Sequence, residues 1–71
     1  MWIGKLYHFG ELVYRGLFKN DAFDGVGEEL DEGNVIYRGS YRNGMREGFG
    51  ELIVSNSEII RGQFEKGTLV E

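Results

Sequence analysis

Short runs of alternating apolar and polar residues fill the chain, broken by glycine at close intervals. A period of two marks a half-buried strand, and glycine in nearly every helical window disfavours helix. The pattern predicts three hairpins. Strands over 2–9 and 12–19 meet at Gly10-Glu11, strands over 26–32 and 35–42 at Gly33-Asn34, and strands over 49–55 and 58–65 at Asn56-Ser57. Gly and Asn supply the positive φ that two-residue hairpin turns require. Longer loops near residues 20–25 and 43–48 join the hairpins. The expected fold is all-β, a single-layer twisted antiparallel meander of about six strands forming one domain over residues 1–71.

These turns set a register, and directly paired residues share a face. The pairs are Phe9–Leu12, Tyr7–Tyr14 and Ile3–Phe18, then Glu32–Val35, Leu30–Tyr37 and Val26–Tyr41, then Ser55–Glu58, Ile53–Ile60 and Phe49–Phe64. One face then carries Tyr7, Phe9, Tyr14, Phe18, Tyr37, Tyr41, Phe49 and Phe64, eight of the ten aromatics, with Lys5, Glu28 and Glu51 opposite Gly16, Gly39 and Gly62. The other face is mixed, and Glu29–Arg38 is expected there as a cross-strand ion pair. Arg15, Arg38 and Arg61 form a ladder on it, about 10 Å from one to the next.

The spacing also repeats. Tyr14-Arg15-Gly16, Tyr37-Arg38-Gly39 and Ile60-Arg61-Gly62 stand 23 residues apart, as do Gly4, Gly27 and Gly50. A fixed step of this size decides architecture before any single residue does. The central copy, Tyr37-Arg38-Gly39-Ser40-Tyr41-Arg42-Asn43-Gly44 and on through Gly48-Phe49-Gly50, resembles the MORN repeat (membrane occupation and recognition nexus). The copy from Tyr14 departs at its turn, where Asp21 stands for glycine and Phe23 intrudes, and the last copy has Ile60 for tyrosine and lacks the second strand. The resemblance implies about three stacked hairpins that bind proteins or, in some members, membranes.

Twelve acids against eight bases give a net charge of −4 and a pI near 4.9. That balance argues against direct nucleic-acid contact and against anionic lipid, and suits a partner with a basic surface. Without cysteine there is no disulfide or thiolate metal site. The first residues do not read as a signal peptide, and no stretch reaches transmembrane length, so a cytoplasmic protein is expected.

Two groups of residues are candidates for binding. In a one-layer sheet the aromatic stripe has nothing to cover it, so Tyr7, Tyr14, Phe18, Tyr37, Tyr41, Phe49 and Phe64 are read as a partner's docking groove or a dimer contact. Asp21, Asp24, Glu28, Glu29, Asp31 and Glu32 put half of the acids into twelve residues and are read as an acidic patch on its rim. An EF-hand is excluded, because Phe23, Gly25 and Val26 occupy places that need ligands or the loop glycine. No metal or cofactor is expected. Nor is catalysis, since His8 is the only histidine and the serines lack a base. The terminal strands are open edges, partly blunted by Lys5, Glu58, Arg61 and Glu65, through which homodimerisation is conceivable. The expected function is non-catalytic protein binding through the aromatic face. The alternative resembles, in composition only, the small acidic inhibitors that phages encode against host nucleic-acid-binding defence complexes of the CRISPR or restriction type. Lipid binding through the arginine ladder is a third, weaker reading.

Overall fold

The computed structural model describes residues 2–70. They form one antiparallel sheet in which every strand lies beside its successor. The strands are β1 (Trp2–His8), β2 (Glu11–Lys19), β3 (Ala22–Asp31), β4 (Asn34–Arg42), β5 (Met45–Ser55), β6 (Glu58–Glu65) and β7 (Thr68–Leu69). The meander is as expected, with one short strand more: the last copy does begin its second strand.

The turns differ from expectation, for a reason of backbone chemistry. Two-residue turns with positive φ at both positions match the twist of the flanking strands and favour glycine second. The turns therefore fall on Phe9-Gly10 (φ 51° and 82°) and Glu32-Gly33 (51° and 83°), one residue earlier than expected. Asn20-Asp21 and Asn43-Gly44 make the same turn, so the longer loops do not form and β3 and β5 start at once. Asn56-Ser57 is a turn as expected.

The register slips at bulges beside the turns, the correctly placed Asn56-Ser57 turn included. A bulge beside each hairpin turn leaves the body of the hairpin one residue from its expected pairing. Tyr14 lies opposite Leu6, Tyr37 opposite Glu29, Tyr41 opposite Gly25 and Phe64 opposite Gly48. A one-residue slip turns a strand over. Tyr7, Phe49, Lys5, Glu28 and Glu51 thus leave the aromatic face, while Tyr14, Phe18, Tyr37, Tyr41 and Phe64 stay on it.

Those five rings are the core, and they cover one another. Phe18, Tyr14, Tyr41, Tyr37 and Phe64 run in a zigzag, each nearly perpendicular to the next at 5.1–5.3 Å between centroids. Edge-to-face pairs of this kind add to the gain from burial. Tyr14 and Tyr37 are 0% exposed. Each tyrosine hydroxyl donates to a carbonyl three residues on, Leu17 at 2.9 Å and Ser40 at 3.1 Å. Gly27 and Gly50 make this possible, because a methyl group at either would run into the tyrosine's phenol end. The Tyr-x-Gly and Gly-x-Gly pieces of the repeat are thus two halves of one packing device.

Successive copies are tied at the turns. The Gly44 and Gly67 amides donate to the Phe23 and Arg46 carbonyls, both at 2.9 Å. Asp24 and Glu47, one step apart, accept from the Asn43 and Lys66 amides at 3.3 and 3.1 Å.

Candidate functional site

With one face filled by its own rings, the other face carries the accessible chemistry. Direct pairing places Lys5 opposite Arg15, Glu28 opposite Arg38, and Glu51 opposite Arg61 in a single row. The row alternates in charge from Arg15 onward. Arg15 Nε lies 2.7 Å from Glu28, Arg38 reaches Glu28 at 3.8 Å and Glu51 at 3.3 Å, and Arg61 Nε lies 2.7 Å from Glu51. The bond from Arg61 is the chief reason the Glu51 carboxyl titrates below its usual range. The expected Glu29–Arg38 pair does not form, because the slip puts Glu29 on the core face and brings Glu28 to Arg38.

Apolar side chains flank this ladder. Ile3, Val26 and Phe49 lie along one side of it and are 80%, 64% and 53% exposed, while Tyr7, Ile53 and Ile59 lie along the other. A hollow of about 650 Å³ opens at the β1 end, between Ile3, Lys5, Arg15, Val26, Glu28 and Arg38, with glycine backbone as its floor.

The structure divides the residues expected to bind a partner. Tyr14, Phe18, Tyr37, Tyr41 and Phe64 are buried and leave almost no ring surface for a partner. Tyr7 and Phe49 are exposed on the ladder face, and Phe9 sits in a turn at 94% exposure. The sheet hides the stripe by letting its rings tile one another, so the expectation of an open groove is corrected.

The six acids are divided too. Asp21 and Asp24 lie at one end of the sheet, and Asp31 and Glu32 at the other. Glu28 is in the ladder. Glu29 faces the core, where its Oε1 accepts 2.7 Å bonds from Tyr41 and Arg46. Burial opposes the Glu29 charge, but these bonds outweigh it and hold the carboxyl below its usual value. Adjacent residues on a strand point to opposite faces, so a contiguous acidic run cannot make one patch. Ile3, Val26 and Lys5 were read onto the aromatic face and so missed as part of this one. The 23-residue step from Lys5 to Glu28 and Glu51 was the signal for the last of these.

Among the described residues no cluster of His, Asp or Glu is placed to hold a metal ion, and no helix is long and apolar enough to cross a membrane. The family model of the MORN repeat matches residues 14–33 and 37–56, more than half of the chain. No curated protein and no solved structure matches it.

Proposed function

The chain belongs to the MORN repeat family, whose repeats are interaction modules without catalytic activity, and from that premise we propose that it binds another protein through the ladder face. The observation that carries this reading is the uncovered row of Ile3, Val26 and Phe49 beside the charge ladder. A one-layer sheet has one face left to offer once the other is filled, and exposed apolar side chains rimmed by charge mark contact surfaces. Its setting in this reading is the cytoplasm, which suits a chain without cysteine. The test is affinity purification with wild type and a Val26→Asp/Phe49→Asp variant. Loss of specific partners by a variant that keeps its β-sheet circular dichroism is expected. Retention of every partner overturns the reading.

A second reading, an acidic inhibitor that blocks a basic surface of a host nucleic-acid-binding complex, draws on one further observation. The sheet end formed by the turns at Phe9-Gly10, Glu32-Gly33 and Asn56-Ser57 exposes Glu11, Asp31, Glu32 and Glu58 and holds no Lys or Arg. Such an end would speed encounter with a basic partner in a salt-sensitive way. Neutralising these four residues should then abolish partner capture at low salt, while Val26→Asp/Phe49→Asp leaves it intact.

A further inference from the structure

Position by position, the 23-residue step makes Lys5 the counterpart of Glu28 and Glu51. Each of those glutamates lies between two arginines, whereas Lys5 stands directly opposite Arg15. Among the described residues no carboxylate lies within ion-pairing distance of Lys5. Like charges directly across a ladder repel. The row as a whole holds four cations, Lys5, Arg15, Arg38 and Arg61, against two anions, on a chain whose net charge is −4. This end of the ladder face is therefore locally basic, and the 650 Å³ hollow with Ile3 and Val26 in its walls lies beside it.

We propose that the β1 end of the ladder face binds an acidic segment of another protein, its carboxylate on Lys5 and a neighbouring apolar side chain in the hollow over Ile3 and Val26. The incoming carboxylate does for Lys5 and Arg15 what Glu28 does for Arg15 and Arg38. A second copy of this chain is the wrong occupant for the sheet edges. β1 offers Lys5 and β6 offers Arg61 in this row, so edge-to-edge contact that continues the row sets cation against cation whichever edges meet. Free phosphate would satisfy the cations but leave the apolar walls open to water. The proposal rests on the reading of the ladder face as the docking surface and adds the chemistry of what docks there.

The probe is a fluorescein-labelled peptide, Gly-Ser-Leu-Glu-Leu-Ser-Gly, with versions carrying Gln or Lys in place of Glu, titrated by anisotropy. Wild type should prefer the Glu peptide to the Gln peptide by about tenfold and reject the Lys peptide. Lys5→Glu, which restores the alternating row and keeps the fold, should reverse the order and prefer Lys. Equal binding of the three peptides, a Glu preference that survives Lys5→Glu, or no binding of any peptide overturns the proposal. So does Lys5-dependent sedimentation with phosphatidylserine vesicles where the peptides are not discriminated, which would assign the site to a membrane. If charge discrimination fails while Val26→Asp/Phe49→Asp still loses its partners, the docking reading survives and only the acidic ligand falls. The opposite result sinks the docking row and leaves the Lys5 site.

Discussion

Tyr14 and Tyr37 occupy the same place in successive repeats, yet they are covered differently. Phe23 lies flat on Tyr14, 3.7 Å between centroids and 6° from parallel. One step on, Arg46 takes the place of Phe23, with its guanidinium 4.5 Å from the Tyr37 centroid. Leu69, a further step on, packs against the same core. The position asks for a broad cover over the ring, which a planar guanidinium can supply as well as a phenyl group. The polar solution needs a counter-ion. Glu29, where the other repeats carry Leu6 and Leu52, accepts from Arg46 and from the Tyr41 hydroxyl on the same oxygen. The first repeat thus closes its ring with aromatic stacking, and the second closes the same ring with a three-residue polar network.

The largest test of this equivalence removes the rings. Tyr14→Ala and Tyr37→Ala should each cost about 3–5 kcal/mol, against a total stability on the order of 4–11 kcal/mol for a chain of this length. Urea denaturation should find both midpoints sharply lowered and by similar amounts. A much smaller loss at Tyr37 would mean that the arginine cover is the weaker lid. Gly27→Ala and Gly50→Ala come next. A methyl group at either meets its tyrosine, and overpacking of this kind costs about 1–3 kcal/mol. Similar losses at both sites are expected, because the two devices share one backbone. A loss confined to one site would break the equivalence.

The polar network gives a smaller, sharper test. Arg46→Ala leaves Glu29 half-buried with Tyr41 as its remaining donor, and should cost about 1.5–3 kcal/mol, the range for hydrogen bonds to charged groups. Arg46→Phe with Glu29→Leu and Tyr41→Phe rewrites the second repeat in the style of the first, where Phe18 stands at the place of Tyr41. Replacing an ion pair and its hydrogen-bonded partner together by apolar groups of similar volume is often neutral or stabilising, so the triple variant should denature at or above the wild-type midpoint. A triple variant as unstable as Arg46→Ala would show that the network does more than cover Tyr37.

Much of this architecture was legible in the sequence, and the part that was not has a definite cause. Alternation and the 23-residue step give the strands, their order and the family. They do not say whether a glycine is first or second in a two-residue turn, since both kinds of hairpin turn use it. Gly10 and Gly33 were read as first and are second. The bulges beside them leave the local alternation on each side intact, so they are invisible to a period-two reading. The unseen bulges, including the one beside the correctly read Asn56-Ser57 turn, put Tyr7 and Phe49, with Ile3 and Val26, on the aromatic face on paper. Phe23 looked like a break in the repeat because its equivalent is Arg46. Only the geometry shows that both lie on a tyrosine.

Titration separates the two tyrosines most finely. Burial pushes the Tyr14 phenol from its ordinary 10.0 up to about 12. Burial raises Tyr37 as well, but Arg46 lies on that ring and favours the phenolate, which limits the rise. On alkaline titration Tyr37 should therefore ionise before Tyr14, as read from the ring-carbon NMR shifts of each. Because both phenols ionise at higher pH in the folded chain than in the unfolded one, their contribution to stability is intact below about pH 10 and is lost as the pH rises through each raised value, about 12 for Tyr14. Glu29 behaves in the opposite sense. Its folded carboxyl lies below the ordinary 4.5, so its contribution is present above that value and disappears as the pH falls through the lowered one. Arg46→Phe/Glu29→Leu/Tyr41→Phe should flatten this acid limb and bring Tyr37 into step with Tyr14 on the alkaline side. Unchanged titration of Tyr37 in that variant would mean that the arginine over the ring does not set its acidity, and the difference between the two lids would be one of shape alone.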